Sequence, residues 1–233
     1  MRRLSFLILV FAILFAVFFI GPPLLSQWFS PYPLMKIGDV FDILTPLVLL
    51  PLYWLLYRLN GEKTALSGIT LFVVLAALWV EGQAMHLAAN SIGHLLEDMK
   101  GSDAYHLTAF YDEVLSHYMW HFGIVGLSAL LLWRQWHSPF HEERTWLWPL
   151  ILAGVIHGFT FFVIVIEAGT APLGVSFAVM VTALGWILGR KKMRQQPLLI
   201  FFLVSCSVAT AFFIGWAIYW SGLPEFSQVG IID

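Results

Sequence analysis

The residues best equipped for chemistry lie between Glu81 and His121, where the chain reads EGQAMHLAANSIGHLLEDMK, a short acidic loop, and YHLTAFYDEVLSHYMWHFG. Read as two helices, Gln83, His86, Asn90, His94 and Glu97 recur at steps of three or four, as do His106, Glu113, His117 and His121. Each set then lies along one face. Imidazoles and carboxylates without a thiolate form a ligand set that suits zinc, iron, copper or manganese better than calcium. The sharpest motif is Glu113-x-x-x-His117-x-x-x-His121, three donors one helical turn apart, with His86, Asn90 and His94 at the same spacing on the preceding helix. The expected metal ligands are His86, Glu113, His117, His121 and His157, with Glu113 or Glu81 as the general base that activates water. Asp42, Asn90, His94, Asp112 and Glu167 are the supporting polar groups. Asp112 and Asn90 are suited to hold an imidazole N–H and so fix its tautomer.

These polar stripes must be positioned by elements of a very different character. Of 233 residues, 60% are hydrophobic, 16% aromatic and only 11% charged, against roughly 25% charged in a soluble domain. The expectation is an all-α integral membrane protein, a single domain over residues 1–233 with seven transmembrane helices. The first span follows Met-Arg-Arg and runs from Leu4 to Ile20, retained because no small-residue cleavage site follows it. Residues 21–39 carry four prolines and, with Trp28 and Tyr32, form an outer loop. The second span covers about Val40 to Tyr57 and bends at Pro46 and Pro51. The remaining spans start near Thr64, Tyr105, Trp146, Pro172 and Pro197, the last ending near Ser221. The helices carrying the two stripes are consecutive and joined by a tight turn, which makes them antiparallel neighbours.

Charge distribution orients this division. Arg2, Arg3, Arg58, Lys63, Arg134, Arg144, Arg190, Lys191, Lys192 and Arg194 fall on one side, leaving only Lys36 and Lys100 on the other. By the positive-inside rule the N-terminus is cytoplasmic and the C-terminus extracytoplasmic, and the plasma (bacterial inner) membrane is the expected location. At about 1.5 Å per residue, the ionisable groups of four helices fall in the middle to outer half of the bilayer. Spans three and four exceed the bilayer thickness, so they tilt or project. Charged groups at such depth cost roughly 2.5–3.5 kcal/mol each, so they must face inward and pair, bind a cation or line water. The single cysteine, Cys206, excludes an intrachain disulfide and reads as packing. No basic tract with interleaved aromatics points to nucleic acid, and His137 and His141, beside Glu142 and Glu143, have no metal role.

The function these features imply is a metal-dependent integral membrane enzyme with a mono- or dinuclear zinc or iron site, copper being a further candidate. Its partners are membrane lipid and a lipid-like or apolar substrate. Hydrolysis suits a mononuclear site, and oxidation a dinuclear one. The His117/His121 pair resembles the HxxxH pair of the seven-helix zinc hydrolases that include alkaline ceramidases and adiponectin receptors. In that family the pair lies near the chain end, whereas here it is on the fourth span and residues 197–221 contain no His, Asp or Glu. The chain is therefore not assigned to that family. A missing seventh-span lysine argues against a retinal protein, and missing histidine boxes against membrane desaturases and hydroxylases. Two other classes share the residues. One is a b-type haem electron carrier with His86 and His117 or His121 as axial ligands. The other is a metal or proton transporter, in which the same groups would mark an ion route.

Overall fold

The computed structural model describes residues 2–30, 35–59, 66–138, 145–188 and 196–231. Tyr32, Lys63, Thr64, His141, Glu142, Glu143, Arg144, Arg190, Lys191, Lys192 and Arg194, all used above, lie outside the described residues. The architecture is helical, with one isolated bridge between Trp28 and Lys36. The main helices are α1 (Arg2–Ile20), α2 (Ile37–Leu59), α3 (Leu66–Leu95), α4 (Asp103–His137), α5 (Leu147–Glu167), α6 (Ala171–Leu188) and α7 (Pro197–Trp220). All except α6 are long and apolar enough to cross a membrane, giving six candidate spans and the character of a multi-pass integral membrane protein. The apolar α6 has 18 residues, roughly 27 Å of rise.

Small residues set the closest contacts, as expected where apolar helices gain little from simply leaving lipid. On α3, a Cβ added at Gly82 would lie 2.6 Å from Trp120 N and 2.7 Å from Ser116 O. On α4, one added at Gly123 would lie 2.8 Å from Leu75 O. These two glycines hold α3 and α4 antiparallel, backbone against backbone. Gly158 of α5 sits against the backbone of Ser205, and Gly154 against Val204, bringing α5 equally close to α7. Fully buried Phe11 and Phe15 of α1 and Phe201 and Phe202 of α7 fill the interior beside α5. A bond of 3.0 Å between the Tyr53 hydroxyl and Ser128 Oγ ties α2 to α4 within this core.

Contacts sort the helix ends into two groups. At one end Arg2 lies over Trp146, Arg58 over Trp54 and Arg134 over Tyr57, cation–π contacts of 4.1, 5.8 and 4.5 Å. Next to them Gln135 Oε1 accepts the backbone N–H groups of Leu198 and Leu199 at 2.6 and 3.3 Å, capping the start of α7 from the end of α4. At the opposite end the α5–α6 turn meets the part of α4 that carries His117 and His121. The segment after α7 folds back over this end, with Trp216 Nε1 donating to Pro224 O at 2.9 Å. Phe226 packs against the rings of Phe162 and Trp216.

Candidate functional site

The close approach at Gly82 places the next turn of α3, with His86, beside the upper part of α4. That part is not regular. From Phe110 to Ser116 it is a π-helix, closed by i→i+5 rather than i→i+4 bonds. In such a wide turn the residue sharing a face with His117 is five positions before it, Asp112. Glu113, which α-helical spacing puts on that face, is exposed. Asp112 Oδ1 is 2.8 Å from His86 Nδ1, with the two side chains 13% and 25% exposed. The imidazoles of His86 and His117 follow directly, with ring centroids 4.8 Å apart.

A single turn fixes both histidines of the HxxxH pair. Gly169, at φ +61°, ends α5. Thr170 N donates to Val165 O and Gly169 N to Ile166 O, the two bonds of a Schellman motif. Only a residue free of Cβ strain enters this left-handed region cheaply. The Ala168 carbonyl, among the last of α5, accepts from His117 Nδ1–H at 3.2 Å. The hydroxyl of fully buried Thr170 is 2.7 Å from His121 Nδ1. That hydroxyl also has Val165 O 3.5 Å away, an acceptor for its proton in the tautomer in which His121 Nδ1 donates. Trp120 packs its ring on His121 at 3.8 Å. His121 Nε2 is buried without a partner among the described residues.

His157 belongs to a different level. Ala168, bonded to His117, is eleven residues further along the chain, roughly 16 Å of rise. His121 descends only roughly 6 Å from His117, so roughly 10 Å of height separates it from His157. There His157 Nδ1 pairs with Ser205 Oγ at 2.8 Å, while Nε2 has no partner among the described residues. Its ring is surrounded by Phe15, Phe201, Phe11, Phe202 and Phe161 at centroid distances of 4.4 to 6.3 Å.

The supporting groups divide in the same way. Half-buried Asp42 accepts from Gln83 Nε2 at 3.4 Å, and Gln83 Oε1 accepts from Trp79 Nε1 at 3.1 Å, a chain leading from α2 into α3 beside His86. Both Asp42 and Glu113 lie near enough to His86 for their charges to interact with it. Asn90 is half-buried one turn beyond His86, His94 is exposed near the end of α3, and Glu81 is exposed below Gly82. Glu167 ends α5 half-buried, and its Oε2 has no partner among the described residues. Ala168, Thr170 and Ser205 are the partners that the sequence reading does not include. Their distances in sequence from the histidines, 48 to 51 residues, leave no local signal.

Chemically, Nδ1 of His86, His117, His121 and His157 each lies 2.7 to 3.2 Å from an oxygen, a hydrogen bond in the last three and an ion-pair contact without hydrogen-bond geometry between His86 and Asp112. This is the arrangement in which the other nitrogen, Nε2, is the one presented for coordination. For two imidazoles bound through Nε2 to one tetrahedral ion at about 2.0–2.1 Å, the ring centroids would stand roughly 5 Å apart. The His86–His117 pair, at 4.8 Å, fits that separation. Among the described residues, no group of three or more His, Cys, Asp or Glu side chains is drawn together closely enough to hold an ion. Comparison with known proteins finds no matching family model, no similar curated protein and no similar solved structure.

Proposed function

We propose that the chain is a seven-span, metal-dependent membrane enzyme that hydrolyses a lipid-like substrate, with its N-terminus cytoplasmic and its site near the outer edge of the hydrocarbon core. The topology draws support from the two groups of helix ends. Residues 168–170 lie beside His117 and His121, whereas α7 begins beside Gln135 at the other end of α4. In this reading the intervening α6, 18 residues long and the shortest of the main helices, returns across the full depth. His86 and His117 are each twenty residues from the opposite ends of their helices, roughly 30 Å and thus about the thickness of the core.

The observation that carries the metal reading is that Nδ1 of all four histidines lies 2.7 to 3.2 Å from an oxygen, with His86 and His117 ring to ring. In this reading His86, His117 and His121 hold one zinc or iron ion, His121 through its unpartnered Nε2. When bound, the ion supplies Lewis acidity and a water of lowered pKa. Asp112 holds His86, while Asp42 and Glu113 remain as the carboxylates near enough to accept a proton. The lipid-like substrate follows from the surroundings. Phe110, Val114, Tyr118 and Phe122, on the same stretch of α4, are apolar and 40% to 53% exposed, so the site borders a lipid-facing wall.

Elemental analysis of gently purified protein tests the reading. About one equivalent of zinc or iron is expected in the wild type and in the exposed control His94→Ala. His86→Ala and His117→Ala should lose it while still inserting in the membrane. A wild-type protein that binds none of these metals, or metal content unchanged in both variants, would sink the proposal.

A further inference from the structure

The HxxxH pair is positioned by residues that lie outside its own helix and its facing helix. Thr170 immediately precedes α6, and its carbonyl accepts Leu173 N and Gly174 N at 3.0 and 3.1 Å. A threonine there ordinarily turns its hydroxyl to a first-turn N–H of its own helix. Here the hydroxyl is 2.7 Å from His121 Nδ1 and the side chain is fully buried. Two residues earlier, the Ala168 carbonyl accepts from His117. The turn itself has little freedom. Its Schellman bonds fix it from below, and Glu225 covers it from above, where a Cβ at Gly169 would stand 2.8 Å from the Glu225 carboxylate.

We infer that Thr170, together with the Ala168 carbonyl, is a positioning element of the site: it locks His121 and His117 in the Nδ1–H tautomer and so presents both Nε2 lone pairs. The carbonyl has no proton to give, so His117 must be the donor. The Thr170 hydroxyl has one proton and two neighbours, His121 Nδ1 at 2.7 Å and Val165 O at 3.5 Å; with that proton on Val165 O, His121 is the donor as well. In its consequence for a bound ion the inference rests on the metal reading above. In its geometry it does not.

Tautomers are read directly from two-bond 15N–1H correlations on full-length, 15N-histidine-labelled protein in lipid nanodiscs, freed of metal by chelation. His117 and His121 should both carry the proton on Nδ1 in the wild type and in Thr170→Ser. In Thr170→Val, His121 should shift toward the Nε2–H form while His117 is unchanged. Zinc affinity by chelator competition should fall about 10–100-fold in Thr170→Val and recover in Thr170→Ser. Wild-type His121 protonated on Nε2 overturns the inference without any variant, as does an unchanged tautomer in Thr170→Val. The expected tautomer shift in a protein that never binds zinc supports the positioning role and removes the metal reading. Zinc binding with no tautomer shift removes the positioning role alone.

Discussion

At the scale of single residues, the His86–Asp112 ion pair separates a packing contact from a ligand-orienting one. The carboxylate is 13% exposed and its oxygen is 2.8 Å from Nδ1, so it favours one orientation of a ring whose centroid is 4.8 Å from that of His117. Removing the carboxylate in Asp112→Ala frees that ring and should weaken metal binding about 10–100-fold, the usual penalty for losing such a partner. Asp112→Asn keeps an acceptor oxygen and loses only the charge, so it should fall between the wild type and Asp112→Ala. Chelator competition gives the order. Equal affinity in all three proteins would mean that the pair acts only in packing.

At the scale of elements, the π-turn and the glycine contacts decide which residues meet. Spacing made Glu113, His117 and His121 a triad because it assumed an uninterrupted α-helix. The π-turn from Phe110 to Ser116 carries Asp112 into the place that register gave to Glu113. Nothing in FYDEVLS announces it, since i+4 and i+5 patterns differ by one residue and the wide turn is stabilised by what it packs against. The α3–α4 pairing, by contrast, was legible from consecutive polar stripes and a short connection, and the helices themselves from apolar length. The Thr170 and Ala168 contacts were not, because they join residues about fifty positions apart. Gly82 tests the element-level account. A Cβ there meets main-chain atoms of α4 at 2.6 and 2.7 Å, which cannot move aside as a side-chain end can. Gly82→Ala should therefore force α3 from α4, cost about 1–3 kcal/mol and lower both the melting temperature in detergent and metal retention. Gly215→Ala, with nothing within 4 Å, should be neutral or stabilising by up to about 1 kcal/mol, as for a glycine replaced within a helix. Equal melting temperatures for the two variants would remove the close-approach argument.

At the scale of the whole molecule, the proposed seven crossings rest on where chain segments meet as well as on hydropathy. By length, α6 falls short of the other helices, and a count without it has six spans. Yet α6 leaves Thr170 beside His121 and must reach Gln196, just before the two residues capped by Gln135. Those groups stand on α4 fourteen residues apart, roughly 21 Å, a distance its roughly 27 Å of helix covers. The six-span alternative would put both ends of α6 on one side and reverse α7. The C-terminal segment would then face the same side as Ser138. Single-cysteine variants decide between them in a Cys206→Ala background, which removes the one native thiol. A membrane-impermeant maleimide applied to intact cells should label Gly101→Cys and Gln228→Cys, both at exposed positions, and should reach Ser138→Cys only after permeabilisation. Labelling of Gln228→Cys only together with Ser138→Cys would restore the six-span count, and it would separate the C-terminal segment from the α5–α6 turn that it covers here.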